Sequence, residues 1–380
     1  MAITITQQPQ TITPSDNPIT WVFDSTQTAQ PNFYYLVEVS IASPSVFSVV
    51  ERHRVYPELG SYAHFDAKTI TERYAEANNI TQSQTLNKIK IQVFEHYSGT
   101  IQDDATSSEV LFWKSRLRKK DFTNYDHSDY YLNTATGVKF LTFEPRGTAK
   151  VKKNDLYFLS VLSNGTATDF IVKTYELNGT LIDNVTITGG TDNLLTLSCG
   201  VSSLETFNFV DFTNASYYTI EATNSIGTTE VYRIDLDLGC QYSTRSRLHW
   251  LNSLGGIDSF TFGLLTREKT SVTSFGYERQ FGGFNSVNNY TYQLKDGTVI
   301  DYLKQFSKSL ELTSDWMLQA VQNWLSYSLY TSPFVRIEEN FDLFRCKVTN
   351  ASFDKKIQET DTVFQEVVTI ELENDNSVNV

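Results

Sequence analysis

Short runs of alternating apolar and polar residues, separated by turn formers, recur along most of the chain. In the first 145 residues these runs are Ile3-Thr-Ile5, Trp21-Val-Phe23, Phe33–Val39, Phe47–Val50 and Ile89–Phe94, with a loop punctuated by Pro9, Pro14 and Pro18 near the start. A period of two between turn-rich stretches places successive side chains on opposite faces of a strand, and several such strands predict a β-sandwich. Thr69–Asn78 reads as a short helical excursion. Asp121–Asn133, with Tyr125, Asp126, His127, Asp129, Tyr130 and Tyr131, reads as a polar aromatic loop.

From about Arg146 to Gly239 the alternation is clearest. Strands are predicted at Leu156–Val161, Phe170–Glu176, Leu181–Ile187, Leu194–Ser198, Tyr217–Ala222 and Glu230–Leu236. Asn178-Gly179 is a two-residue hairpin signal, because both residue types tolerate the positive φ that such turns need. Asn164-Gly165 marks another turn. In Val231–Asp237, Tyr232, Ile234 and Leu236 share one face while Val231, Arg233, Asp235 and Asp237 share the other, so one face is buried and one wet. The pattern suits an immunoglobulin-like sheet, although no Cys…Trp…Cys spacing of the antibody type occurs.

From Cys240 onward the pattern changes. A first hairpin turns at Gly255-Gly256, and a second, Tyr290–Leu294 with Thr298–Tyr302, is predicted around Asp296-Gly297. One amphipathic helix follows, at about 314–330. Thr313 or Ser314 is placed to cap it, with Asp315 in the first turn, and Trp316, Met317, Ala320, Val321, Trp324, Leu325 and Leu329 form an apolar stripe that Pro333 ends. Strands at Phe334–Glu338, Phe344–Thr349 and Thr362–Leu372 close the chain before a polar tail, 373–380, expected to fray. The expected fold is therefore mainly β: an N-terminal β-sandwich (1–145), an immunoglobulin-like β-sandwich (146–239) and an α+β module (240–380). The order of elements in that module is similar to the sandwich-plus-helix fold of phage tail tube and connector proteins.

Composition agrees with strands. Among 380 residues there are 25 Phe and 21 Tyr, enough for sizeable cores. Net charge is −13, which disfavours capture of a nucleic-acid backbone. Against that background Lys114–Lys153 is basic, with Lys114, Arg116, Arg118, Lys119 and Lys120 leading and Lys139, Arg146, Lys150, Lys152 and Lys153 following. It reads as a solvated face, a polyanion site or a dock for an acidic neighbouring subunit. Cys199, Cys240 and Cys346 are odd in number and widely spaced, which fits thiols in a reducing compartment. The first residues resemble no signal peptide and no run is apolar enough to span a bilayer, so a cytoplasmic origin without membrane partners is expected. Asn-x-Ser/Thr triplets at Asn79, Asn164, Asn178, Asn184, Asn214, Asn289 and Asn350 follow from an Asn- and Thr-rich chain.

Catalytic patterns are missing. His53, His64, His96, His127 and His249 form no His-Glu-x-x-His, and neither Gly-x-Ser-x-Gly nor a phosphate-binding Gly-Lys-Ser/Thr loop occurs. Asp126-His127-Ser128-Asp129 offers carboxylates to a hard cation but lacks the glycine and terminal glutamate of a calcium loop. Converging carboxylates for glycoside hydrolysis leave no signature along a chain. Tyr34-Tyr35, Tyr125, Tyr130 and Tyr131 suit either a core or a sugar-stacking platform. No enzyme activity, cofactor or metal is expected.

The segment Arg247-Leu-His-Trp-Leu-Asn-Ser-Leu-Gly-Gly-Ile-Asp-Ser-Phe-Thr-Phe262 is the most specific feature. Two glycines allow a tight reversal, with Trp250 before it and Phe260 and Phe262 on one face after it. Arg245, Arg247, His249 and Asp258 could form interstrand ion pairs. The run resembles the Trp-Leu-Asn-x-Leu-Gly-Gly-x-Asp-x-Phe-x-Phe segment of virion proteins from tailed phages and prophages of Bacteroidetes, including crAss-like podoviruses. The resemblance implies a structural virion protein of the tail, a ring between portal and tail. It would be assembled in the host bacterial cytoplasm as a cyclic homo-oligomer of roughly twelve copies. It implies partners among other tail, ring or portal proteins and an acidic passage through which DNA slides without sequence-specific binding. Interaction residues would be Arg247, His249, Trp250, Gly255, Gly256, Asp258, Phe260 and Phe262. The alternative is a carbohydrate-binding adhesin or receptor-binding tail protein built on the same sandwiches.

Overall fold

A computed structural model of the chain describes residues 3–42, 46–75, 81–133, 136–239, 246–264, 266–293, 297–349 and 363–372. The protein is mainly β and divides into two compact units: Met1–Gly239 with Trp250–Ser259 and Ser326–Ser332, and Cys240–His249 with Phe260–Leu325 and Pro333–Val380. Asn79, Cys240, Arg245, Leu294, Asp296, Asn350 and the 373–380 tail lie outside the described residues.

The first unit holds two β-sandwiches. In the N-terminal one, a six-stranded sheet is ordered Ile12–Pro14, Val110–Trp113, Asn87–Tyr97, Tyr34–Ala42, Phe47–Val55, with Thr100–Thr106 also paired to Asn87–Tyr97. A three-stranded sheet, Ile3–Gln7, Thr20–Ser25 and Ala63–Asp66, supplies the second layer. Alternation decides which side chains meet: Tyr35, Val37, Val39 and Ile41 are buried with Ile89, Ile91 and Val93 from one layer and Trp21, Phe23 and Phe65 from the other. The Phe23 and Tyr35 rings meet edge-on, 4.8 Å between centroids. The helical excursion is Lys68–Tyr74.

The second sandwich pairs a seven-stranded sheet with a three-stranded one, Tyr131–Leu132, Phe158–Ser163 and Leu194–Ser198. The larger sheet is ordered Thr136–Val138, Gly227–Thr229, Tyr217–Asn224, Thr168–Tyr175, Leu181–Gly190, with Tyr232–Leu236 and Lys150–Val151 attached beyond Tyr217–Asn224. Asn178-Gly179 lies in a hairpin turn, but the loop closed by Glu176 N–H to Thr180 O at 2.9 Å has three residues, and of the pair only Gly179 takes positive φ. Gly179 has φ of 87° and the Thr180 N–H donates to Asn178 Oδ1 at 2.8 Å. Tyr232 and Ile234 are buried while Val231 and Arg233 are exposed. The helix Val201–Asn208 was not legible, because only Val201 and Leu204 of its eight residues are buried and so small a stripe has no detectable period.

Asp121–Asn133 is not a loop throughout. It includes most of the short helix Lys119–Thr123, the 3-10 turn His127–Asp129 and the strand Tyr131–Leu132. Asp126 caps that turn by accepting from the Ser128 N–H at 2.9 Å, so local hydrogen bonds use the polar residues that look loop-like.

At one end of the second core the Tyr157 and Tyr232 hydroxyls both donate to Glu144 Oε2, at 2.5 and 3.1 Å. Burial, reinforced by the Glu144 charge, holds both phenols well above their usual range. Unfolded tyrosines ionise near pH ~10 and these do not, so the stability they contribute is complete below that pH and is lost as pH rises above it. The urea midpoint, followed between about pH 8 and 11, is expected to fall above pH ~10, and to fall less steeply in Tyr232→Phe.

The second unit is built on a seven-stranded sheet ordered Ile257–Phe262, Ser246–Leu251, Val335–Glu339, Asp342–Val348, Val367–Leu372, Val299–Thr313, Thr266–Glu278. Two expectations fail here. The helix spans Gln319–Ser328, not about 314–330. Thr313 ends a strand, and Ser314 is tied to Glu366 by Ser314 N–H to Glu366 O at 2.9 Å and Glu366 N–H to Ser314 Oγ at 2.8 Å, so its hydroxyl caps no helix. Met317–Leu318 then pairs with Val363–Phe364, and Trp316 is left 68% exposed and outside the apolar stripe.

The second hairpin also differs. Tyr290–Thr291 pairs with Gly283–Phe284, and Val299–Thr313 pairs with Thr266–Glu278. Asn285 Oδ1 accepts the N–H groups of Val287 and Asn289, both at 3.0 Å, so the chain reverses at 285–289, ahead of Gly297.

Candidate functional site

The Trp-Leu-Asn-x-Leu-Gly-Gly-x-Asp segment is satisfied residue by residue within the first unit. Asn252 organises the turn. Its Oδ1 accepts the N–H groups of Leu254 and Gly256, at 2.9 and 3.1 Å, and its Nδ2 donates to Leu141 O and Asp258 Oδ1, both at 2.8 Å. Asp258 Oδ1 also accepts from Thr142 Oγ1 at 2.7 Å and its Oδ2 from Ser328 Oγ at 3.4 Å, while the Trp250 indole N–H donates to Ser328 Oγ at 2.7 Å. Both side chains are 2% exposed, so each of these bonds replaces water that cannot enter.

The glycines permit the close approach. Gly255 has φ of +83°, and a Cβ there would lie 2.5 Å from Trp113 Nε1; one on Gly256 would lie 2.0 Å from Leu141 O. Trp113 Nε1 donates to Leu254 O at 2.7 Å, and Ser115 Oγ donates to Ser253 O at the same distance. Leu254 completes a core of Ile12, Trp113, Leu117, Tyr131, Leu141, Leu162 and Leu194, drawn from both sandwiches. These motif residues hold the first unit together. Trp113, Leu141, Thr142 and Ser328, their partners, carry no mark in the sequence beyond being apolar or small and polar.

The rest of the run serves the second unit. Arg247 and His249 are 4% and 1% exposed, and Glu338 is their carboxylate, with His249 Nε2 at 2.9 Å and Arg247 Nε at 4.0 Å from Oε2. Arg247 Nη1 donates to Thr261 Oγ1 at 2.6 Å. Phe260 and Phe262 do share a face, with ring centroids 5.2 Å apart, and Phe260 meets Trp324 edge-on at 6.3 Å.

The feature that sequence reasoning passed over is a ribbon. Thr266–Glu278 and Val299–Thr313 pair over thirteen rungs, about 40 Å at ~3.3 Å per residue. Among the described residues, Val367–Leu372 meets the ribbon only at Ser309–Thr313, so beyond that base the ribbon has two strands. Every residue from Arg267 to Glu278 is exposed. Cross-strand pairing sets Phe275 with Leu303 and Tyr277 with Ile300 on one distal face, while Lys269 with Glu311 and Lys308 with Glu268 make ion pairs nearer the base. At the tip Phe281 stacks on Tyr292, and Tyr290 meets both Phe284 and Tyr292 edge-on. Apolar residues in these strands keep to neither face, as Val272 with Phe275 and the adjacent Tyr302-Leu303 show, so the sequence carries little period-two contrast.

The basic stretch is dispersed among carboxylates. Lys114 pairs with Asp16, Arg118 with Asp121, Lys139 with Asp129, Lys152 with Asp237 and Lys153 with Glu205, and Arg146 bonds Glu230. The Arg118 guanidinium also lies over the Tyr327 ring, and Arg116, Lys119 and Lys120 are exposed. Tyr125 stacks between Phe122 and Tyr130 and donates to Ile12 O, and Tyr131 and Tyr35 are buried, which removes most of a sugar platform. Among the described residues no three His, Cys, Asp or Glu side chains gather as a metal site. No described helix is long and apolar enough to cross a membrane.

What fold and site define is a mainly β protein with a buried structural motif and a projecting ribbon. No protein-family model and no curated protein matches the chain. Among solved structures, squid arrestin aligns over 63% of this chain and 95% of its own at 10% identity, TM-score 0.19. Dpr2 Ig1-Ig2, in complex with DIP-Theta Ig1-Ig3, aligns over 100% and 91% at 9% identity, TM-score 0.22. The E. coli alpha-2-macroglobulin aligns over 93% and 24% at 8% identity, TM-score 0.19. Scores this low carry no argument, and the β-architecture rests on the sheets themselves.

Proposed function

We propose that this chain is a structural virion protein of a tailed phage, a ring component between portal and tail, that assembles with copies of itself through the ribbon. The ribbon carries the reading. A two-stranded hairpin with both faces in water is at best marginally stable alone, and this one also exposes aromatic side chains and, among the described residues, strand edges that no further strand covers. A neighbouring copy would supply the missing layer, and a head-to-tail contact of that kind closes into a ring when its rotation permits. The resemblance of Arg247–Phe262 to virion proteins supports the phage setting and a ring of roughly twelve copies. The net charge of −13 suits a passage that does not retain DNA. Electron microscopy of the purified protein, alone and with neighbouring tail proteins, is expected to show closed rings. A chain that stays strictly monomeric contradicts the proposal.

A further inference from the structure

One exposed apolar feature lies far from the ribbon in sequence. Helix Val201–Asn208 closes at Phe209, whose N–H donates to Leu204 O and whose φ is +56°, a region where glycine is the usual residue. A phenylalanine there is held in a backbone conformation that L side chains disfavour. Its ring nevertheless stands 85% exposed, beside Phe207 at 76%, so no packing in the chain offsets that cost. Asp211 N–H donates to Asp183 Oδ2 at 2.9 Å and Asp211 O accepts from Thr174 Oγ1 at 2.8 Å. These bonds tie the knuckle to the hairpin that exposes Leu177 and Leu181. Segments 174–184 and 201–215 contain Glu176, Asp183, Glu205 and Asp211 and no lysine or arginine, and of these four Glu205 is paired with Lys153.

The ribbon tip has the opposite character. From Arg279 to Gln293 there is no acidic residue, and Phe281, Phe284, Val287, Tyr290 and Tyr292 are all exposed. Across 266–313 the chain is close to neutral, with six basic and five acidic residues, inside a protein of net charge −13.

We propose that the ribbon tip of one copy docks on the Phe207–Phe209 knuckle of the next. The proposal rests on the self-assembly reading and names its acceptor surface. An acid-rimmed apolar knuckle repels anionic partners and favours an aromatic surface free of carboxylates and carrying Arg279. The one chain presents both halves at different sites, so the contact is heterologous and propagates from copy to copy. Aromatic pairs of this kind dominate interface energies.

The test places photo-reactive benzoylphenylalanine at Phe284 in a mixture of isotopically light and heavy chains. Crosslinks are expected between position 284 of one copy and residues 201–215 or 176–183 of another. Phe207→Ser with Phe209→Gly is expected to lower their yield at least ~tenfold while leaving the melting temperature unchanged or higher, since glycine relieves the backbone strain. Oligomers whose crosslinks map elsewhere, or only within single chains, would overturn the docking proposal and leave self-assembly standing. A wild-type chain that forms no oligomer would remove the self-assembly reading, and docking with it.

Discussion

Gly256→Ala is expected to destabilise the first unit by about 3 kcal/mol or more, lowering its thermal midpoint by about 6–12 °C. The added Cβ would meet Leu141 O at 2.0 Å, and the Leu141 carbon atoms at 2.9 and 3.0 Å, and neither obstacle can swing aside as a flexible side-chain end could. Relief requires the turn to withdraw, which breaks the Asn252 Nδ2 bond to Leu141 O and pulls Leu254 from the core that both sandwiches share. Unsatisfied groups at that depth add to the loss, because Asn252 and Asp258 have no route to water. Gly255→Ala is expected to act in the same direction, through its φ of +83° and the 2.5 Å approach to Trp113 Nε1. Gly297→Ala is the control. Nothing lies within 4 Å of its Cβ position, and its effect should stay within about 0.5 kcal/mol. Differential scanning calorimetry of the three variants decides the matter. A Gly256→Ala protein that melts with the wild type would show that the motif does not hold the fold.

Several elements were legible because burial writes a period into the sequence. Tyr35, Val37, Val39 and Ile41 alternate with half-exposed neighbours, as do Phe170, Val172 and Thr174, and the strands follow. Asn178-Gly179 and Gly255-Gly256 mark turns, with Gly179 and Gly255 at positive φ. What the motif binds was not legible: Trp113 is 141 residues from Leu254 and Leu141 is 111 from Asn252, and no local rule joins positions so far apart.

The helix start was misplaced for a related reason. Ser314 and Asp315 have the composition of a cap, but pairing to Glu366 takes the Ser314 hydroxyl first. In the ribbon both faces are wet, and Val272, three residues from Phe275, falls on the face opposite Phe275 and Tyr277, so no buried side imposes a period. Local propensity reports what a segment could form. The partner decides which segment is used.

Excising the ribbon should abolish assembly and leave the fold intact. Replacing Ser271–Ser307 with Asn-Gly joins Thr270 to Lys308, which already face each other, through a turn suited to a two-residue hairpin. The rungs that Val367–Leu372 supports, Ser309–Thr313, remain, and no described residue from Ser271 to Ser307 is buried. Stability should therefore change by less than about 1 kcal/mol. Assembly should change completely, because the shortened chain loses the exposed aromatic tip and the free edges together. The decisive measurement is sedimentation velocity of the intact and ribbon-excised proteins, run side by side across a concentration series. The account predicts a large, discrete oligomer for the intact chain and a folded monomer for the excised one; the same sedimentation coefficient for both, whether monomer or ring, would contradict it.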